Sequence, residues 1–289
     1  MNFEIVADTS CNLPFSLVKE LGLHIIPLNF YVDGVEHQSY LKDSAADLAP
    51  FYDMMREGKV ITTSLPNILS TEEEFKEILD AGSDLLYIGF SSAMSGTFAA
   101  ISMILDRLRE SYPNQKIYYV DTLAASAGIG LLIYYAVLHA NEGKSIEEVR
   151  DWVEDNKLKV GHWFTVDDLM FLLRGGRVKK SAAFAGTLLK VKPVLHVDDE
   201  GRLIPIEKVR GRKKSLDMLV ENFLKYAVEP YTFETFLVHG DCLDDARYVA
   251  DEVVKRAQIK EPIISQLDPV IGAHAGPGTV AFFFFAKKR

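Results

Sequence analysis

Leu85-Leu86-Tyr87-Ile88-Gly89-Phe90-Ser91-Ser92-Ala93-Met94-Ser95-Gly96-Thr97 runs from an unbroken apolar stretch into hydroxyl side chains and a glycine. The apolar run, Leu85 to Phe90, is short enough for a strand buried on both faces, and Phe98 to Tyr112 behind it has the periodicity of an amphipathic helix. Strand, polar loop and helix in that order form the repeating unit of a parallel sheet. In such sheets ligands sit beyond the carboxyl ends of the strands. A helix start there offers unpaired N–H groups and the positive end of the helix dipole, both favourable to an anion. Gly96 allows close approach, while Ser95 and Thr97 add hydroxyl donors. A capped helix start would need one such hydroxyl, and this segment carries more.

The same alternation extends on both sides. Phe3 to Ala7 reads as a strand, followed by Asp8-Thr9-Ser10 and a helix from about Pro14 to Leu21. Leu23 to Val32 is an extended run that ends at the Asp33-Gly34 turn. Helical spacing returns at Asp47 to Arg56 and at Thr71 to Leu79. Lys116 to Val120 is the next strand, and a helix rich in small residues spans about Ala124 to Ala140. These features predict an N-terminal three-layer α/β/α domain with a mainly parallel sheet, over residues 1–157. From about residue 145 the pattern changes. Ser145 to Asn156 opens with a Ser-x-x-Glu capping box, and Asp167 to Leu173 is a short helix. Val194 to Val209 has the form of a hairpin turning at Asp198-Asp199-Glu200-Gly201. Helices at Lys213 to Tyr226 and Asp244 to Ala257 flank a strand at Phe233 to Val238, and Thr279 to Ala286 holds four consecutive phenylalanines. Residues 158–289 therefore predict a C-terminal α+β domain with a mixed or antiparallel sheet.

A chain of 289 residues, 48% hydrophobic and 25% charged, fits two soluble globular domains. The longest apolar run, Ile129 to Leu138, falls well short of the roughly 20 residues that cross a bilayer. Met1 to Asp8 lacks the regions of a signal peptide, so a cytoplasmic location is expected. Cys11 and Cys242 belong to no metal or redox motif and read as reduced cysteines without a role. A net charge of −9 argues against nucleic acid. Positive charge is nevertheless concentrated from Arg174 to Lys214, at Arg174, Arg177, Lys179, Lys180, Lys190, Lys192, Arg202, Lys208, Arg210, Arg212, Lys213 and Lys214.

Three further segments could carry chemistry. Thr62-Thr63-Ser64-Leu65-Pro66 is alone only a turn signal. Ile271 to Thr279 places His274 among Gly272, Gly276, Gly278 and Pro277, which reads as a constrained loop where a histidine could donate to a carboxylate or serve only the fold. Leu173-Arg174-Gly175-Gly176-Arg177 is either a helix C-cap with favourable cations or a display of guanidinium groups for an anionic partner. Asp8, Asp121 and His239 read as loop-fixing residues. No phosphate-binding GxxxxGK[ST], GxGxxG, nucleophile-elbow GxSxG or zinc HExxH motif occurs. A Ser95/His274 hydrolase of acyl esters and a small-anion sensor remain open beside a binding protein.

Taken in order, Asp8 to Pro14, Thr63 to Pro66, Ser91 to Thr97, Asp121-Thr122, Asp168 to Arg177, Lys192-Pro193, His239 to Asp241 and His274 to Thr279 resemble the DegV family, across nearly the whole chain. Its fatty-acid-binding members include the FakB proteins of fatty acid kinase. Thr9, Asn12 and Leu65 depart from the usual residues of those motifs. The resemblance implies that the chain binds a long-chain fatty acid and is not itself an enzyme. Thr63 and Ser95 would bond the carboxylate, His274 would join them, and Ser64, Gly96 and Thr97 would complete the site. It implies a separate ATP-dependent kinase subunit that makes acyl phosphate for phospholipid synthesis, and no cofactor. Arg174 and Arg177 would then meet the kinase or, transiently, an anionic membrane surface. Phe98, Phe184 and Phe282 to Phe285 are the candidates for the wall around the tail.

Overall fold

The computed structural model describes residues 3–40, 44–179 and 191–289. The first half contains β1 (Phe3–Asp8), α1 (Phe15–Glu20), β2 (His24–Ile26), β3 (Asn29–Val32), β4 (Val35–Gln38), α2 (Ala49–Arg56) and β5 (Ile61–Thr63). It continues with α3 (Ile68–Asp80), β6 (Asp84–Gly89), α4 (Thr97–Ser111), β7 (Ile117–Asp121), α5 (Ala127–Asn141) and α6 (Ile146–Asn156). The second half contains β8 (Val160–Thr165), α7 (Met170–Arg174), β9 (Val191–Val197), β10 (Leu203–Arg210), α8 (Arg212–Tyr226), β11 (Phe236–His239), α9 (Leu243–Ala257), β12 (Ile263–Gln266), α10 (Pro269–Ala275) and β13 (Val280–Phe285).

β2, β1, β6 and β7 form a parallel sheet in that order, and β10-β9-β8-β13-β11-β12 forms a sheet that is antiparallel except for its last pair. The two-domain α/β architecture expected from the sequence is present. One sheet was not expected: β4, β3 and β5 make a small antiparallel sheet of their own. Leu23 to Val32 is not one strand, because Pro27 has no N–H to donate and separates β2 from β3. Asp33 and Gly34, both at positive φ, then turn the chain into β4. All four residues of β4 are exposed, so no alternation marked it as a strand. Two helix boundaries also differ. α3 starts at Ile68 because the Asn67 side chain accepts from the N–H groups of Leu69 and Ser70. The segment around His274, expected to be a loop, is the helix α10, opened by Pro269 and capped by Asp268, which accepts from the Val270 N–H.

Side-chain alternation assigns the faces. Val6, Leu85 and Tyr87 turn toward α3 and α4, while Ile5, Ala7, Leu86 and Ile88 turn toward α5. In β13, Phe282 and Phe284 pack on Phe223 of α8 with ring centroids 5.1 and 5.0 Å away, and Phe283 and Phe285 face α5. The four phenylalanines thus serve two cores. α5 lies between the sheets and touches strands of both, which explains why it is apolar all round where a surface helix would carry one polar face. Its glycines set how closely it packs. A Cβ on Gly128 would lie 2.2 Å from His162 Nε2 on β8, and one on Gly130 would lie 2.8 Å from the Cys11 carbonyl.

Gly128→Ala should therefore lower stability by about 1–3 kcal/mol through overpacking, despite the roughly 1 kcal/mol that alanine gains in helix propensity. Urea unfolding measures this, and an unchanged midpoint would contradict the close approach.

Candidate ligand site

The loops after β1, β6 and β7 all open on the same edge of the parallel sheet, and each is held by polar side chains. Asp8 accepts from the Ser10 N–H at 2.9 Å and from the Tyr87 hydroxyl at 2.7 Å. Asp121 accepts from the N–H groups of Ser92 and Leu123, and the Ser126 hydroxyl donates to Asn12 Oδ1. Asn12, Leu123 and Ser126 are all at positive φ without being glycine. Such strain gathers where a loop is shaped for a ligand. Burial pushes the carboxyl groups of Asp8 and Asp268 above their ordinary values, Asp268 to about 8. Neither aspartate lines the cavity described next. The loop-fixing reading of Asp8, Asp121 and His239 agrees with these bonds, His239 Nδ1 accepting from the Cys242 N–H. Burial also pushes both thiols, Cys11 and Cys242, up to about 12.

Beyond that edge lies a cavity of about 850 Å³, part of it open to solvent, between the parallel-sheet loops, β8, β13 and α10. Polar groups gather from a few segments: Thr63 and Ser64 at the end of β5, Ser95 and Thr97 at the start of α4, Arg177 after α7, and His274 on α10. Most of the remaining wall is apolar, with Leu28, Phe90, Met94, Phe164, Leu172, Val197, Leu203, Leu267, Val270, Ile271 and Phe283. A few convergent polar groups in an otherwise apolar concavity are the ordinary form of a small-molecule site.

The polar end is wired in a definite direction. His274 Nε2 lies 2.9 Å from Thr63 Oγ1, and Arg177 Nη1 lies 3.3 Å from His274 Nδ1. A guanidinium can only donate, so Nδ1 accepts. Burial, aided by the Arg177 charge, pulls the imidazole pKa down to about 4, so at neutral pH the ring keeps one proton, on Nε2. That proton goes to Thr63 Oγ1 and leaves the Thr63 hydroxyl hydrogen free to point at a ligand. Ser95 Oγ accepts from the Thr97 N–H at 3.2 Å and pairs with Thr97 Oγ1 at 2.9 Å. The capping duty and the hydroxyl cluster are thus present together.

α7 shows why the double glycine is needed. The Arg177 N–H bonds the Leu172 carbonyl and the Gly176 N–H bonds the Leu173 carbonyl, a Schellman cap with Gly176 at φ +72°. The cap turns Arg177 back onto the cavity. A Cβ on Gly175 would lie 2.4 Å from His274 Nδ1, so this position leaves room for the imidazole.

Thr63, Ser64, Ser95, Thr97 and His274 are brought to one cavity. Gly96 stands beside it against Leu65, whose Cδ2 would be 3.2 Å from a Cβ there. Arg177, expected on a partner-facing surface, lines the cavity instead, and only Arg174 is exposed, lying over the Phe171 ring. Part of the basic stretch is paired with acidic neighbours: Lys192 with Asp167, Arg202 with Asp198 and Glu200, Arg212 with Asp245, and Lys213 with Asp217. Lys180, Lys190 and Phe184 lie outside the described residues. Of the other phenylalanines proposed for the wall, Phe283 lines it, whereas Phe98 stacks on Tyr87 on the far side of the parallel sheet. Phe90 and Phe164 were missed because which side of a buried strand faces a cavity is set by the neighbouring layer. A Ser95/His274 hydrolytic pair is not assembled: Ser95 bonds Thr97, and both imidazole nitrogens are engaged elsewhere.

A sequence profile of the DegV family, described as uncharacterised proteins, matches residues 2–287. A DegV domain-containing protein of Clostridium perfringens is 42% identical, over 99% of this chain and 98% of its own length. Among solved structures, a DegV family protein from Thermus thermophilus described for its fatty acid binding superimposes with a TM-score of 0.88 at 28% identity, covering 99% of this chain and 100% of that one. DegV from Bacillus subtilis, described as a fatty acid binding protein, gives 0.81 at 28% identity, with 99% and 100% covered. Among the described residues no helix is long and apolar enough to cross a membrane.

The lowered His274 pKa has a consequence for stability. Below about pH 6.5 the unfolded imidazole takes up a proton while the folded one resists until about pH 4, so the unfolded state gains and stability falls across that window. In ligand-free protein, His274→Gln should lose less stability than wild type between pH 6.5 and 4, by on the order of 1–3 kcal/mol. The other buried histidines and carboxyls titrate in both proteins and cancel. Denaturant unfolding at the two pH values checks it, and equal losses would refute the neutral, buried assignment.

Proposed function

This chain belongs to the DegV family, and on that premise we propose that it binds a long-chain fatty acid, carboxylate to the hydroxyl end of the cavity and tail along the apolar wall. The observation that carries the reading is the cavity itself: donors at one end, hydrocarbon over most of the rest. Thr63 and Ser95 are proposed to bond the carboxylate directly, Ser64, Gly96 and Thr97 to complete the hydroxyl cluster, and His274 to act through Thr63. The fatty acid binding described for the Thermus and Bacillus relatives supports the ligand class. We place the division of the chain near residues 157 and 158, so that the first part supplies the hydroxyl groups and the second closes the pocket.

The bound acid is proposed to be handed, still on this protein, to a separate ATP-dependent kinase subunit that converts it to acyl phosphate for phospholipid synthesis. Hydroxyl donors favour that division of labour. They fix the carboxylate without pairing it with a cation, and so leave an oxygen free to attack a phosphoryl group. Arg174 is an exposed basic residue at this end and is the proposed contact for the kinase or for an anionic lipid surface.

Protein purified mildly from cells should release fatty acid on organic extraction, visible by native mass spectrometry before and after. A hydrogen bond to an ionised carboxylate is worth about 1.5–3 kcal/mol, so Thr63→Ala with Ser95→Ala should weaken binding by roughly two to four orders of magnitude. Unaltered affinity would refute the head-group assignment. Arg174→Glu should slow kinase-dependent acyl phosphate formation and leave fatty-acid affinity unchanged.

A further inference from the structure

The described residues enclose a second cavity, which the proposed acyl site does not use. It holds about 800 Å³, part of it open to solvent. Around it stand the turn after β1, the start of α1, β2, the chain that leaves β4 and the end of β12. Two segments divide it from the cavity that contains His274, and their residues face both ways. Ser10, Leu267 and Val270 line the acyl cavity, whereas Thr9, Cys11, Gln266 and Asp268 line the second one. The two spaces are therefore neighbours across a shared wall.

The lining of the second cavity is apolar over Leu13, Phe15, Val18, Ile25 and Leu48. Several of its polar groups are spent on the fold. The Ser265 hydroxyl donates to the Asn12 carbonyl at 2.8 Å, and Asn12 Oδ1 accepts from the Ser126 hydroxyl. The Ser39 hydroxyl, beside Asp268, gives its one proton to the Leu28 carbonyl at 2.7 Å. Asp268 differs from these. It is 9% exposed, and its Oδ1 accepts from the Val270 N–H at 2.8 Å, the cap of α10. Among the described residues no cation pairs with it, and none lines the cavity. Lys19, over the Phe15 ring, is exposed and stands outside the lining. Burial pushes the Asp268 carboxyl up to about 8, and Asp8, a second carboxyl, pushes the same way. A buried acid stays neutral or meets a cation, and the cavity is the open approach to this one.

We propose that this second cavity is a site for a small amphipathic cation, a primary amine whose ammonium group pairs with Asp268 and whose apolar body lies along Leu13, Val18 and Ile25. The carboxyl gives its proton to solvent when the ammonium group arrives, and the buried charge is then paired and hydrogen-bonded. The site does not depend on the fatty-acid reading of the other cavity. Through Asp268 it lies at the start of α10, the helix that carries His274 near its end.

The test measures hexylamine, 1-hexanol and hexanoate by titration calorimetry on the full, delipidated chain at neutral pH. Hexylamine should bind at a single site, and hexanol and hexanoate should each bind roughly tenfold more weakly or less. Asp268→Asn keeps an oxygen for the cap of α10 and removes the charge. It should weaken hexylamine roughly ten- to a hundredfold, to the level of hexanol. Ala46→Trp, at the partly exposed rim, should fill the cavity and abolish hexylamine binding without altering the buried wall. A wild type that does not bind hexylamine overturns the proposal, as does equal affinity for hexanoate. Unchanged hexylamine affinity in Ala46→Trp overturns it too, whether or not Asp268→Asn folds. None of these results turns on whether the chain binds a fatty acid.

Discussion

An α-helix that is apolar on every face must be covered on every side, and α5 meets that demand by lying between two sheets. The parallel sheet covers one side and the mixed sheet the other, and α3 with α4 and α8 with α9 close the outer faces. The start of that helix borders the cavity through Ala125 and Ser126. At that end the loops after β1, β6 and β7 face β8, β13 and α10 across an open space, and that space is the cavity. Gly128 and Gly130 let α5 sink toward β8 and toward the turn after β1.

The polar end of the cavity depends on a second constraint, which is that a half-buried cation must be compensated or screened. Arg177 is turned inward by the Schellman cap of α7 and gives one bond to the Gly175 carbonyl and one to His274. The imidazole passes that influence to Thr63 without carrying charge itself. Three residues from three separate segments thereby share one donor direction, from guanidinium to ring to hydroxyl to ligand. The site is made by tertiary contact over 211 residues of chain between Thr63 and His274, a separation that no local pattern could indicate.

How much of this was legible in the sequence follows from the range of the forces involved. The parallel sheet, the β9–β10 hairpin and the helices α8 and α9 were readable because apolar spacing and capping act over a few residues. The capping box at Ser145 and Glu148 is present as read. β4 was not readable because an exposed edge strand needs no alternation, and α10 was hidden because its glycines and proline resemble a loop. At the site, the hydroxyl cluster before α4 pointed to an anion from local chemistry alone, whereas the weight given to Thr63 and His274 came from family resemblance. The inward turn of Arg177 was the least legible feature: the same Gly-Gly pair that ends a helix also decides whether the next side chain faces solvent or the cavity.

On the proposed reading, the arrangement divides affinity from exchange. Burying a tail of roughly 15 methylenes is worth on the order of 12 kcal/mol before ordering costs, but a bilayer offers nearly the same gain. The difference between protein and membrane is then decided at the carboxylate, where a few bonds of about 1.5–3 kcal/mol act. A direct guanidinium fork would bind the head group more tightly and draw charge from the oxygen that must react. With His274 interposed, the positive charge of Arg177 orients the Thr63 proton without taking the carboxylate for itself. Such a site holds its ligand firmly enough to carry it and loosely enough to let the same oxygen be used.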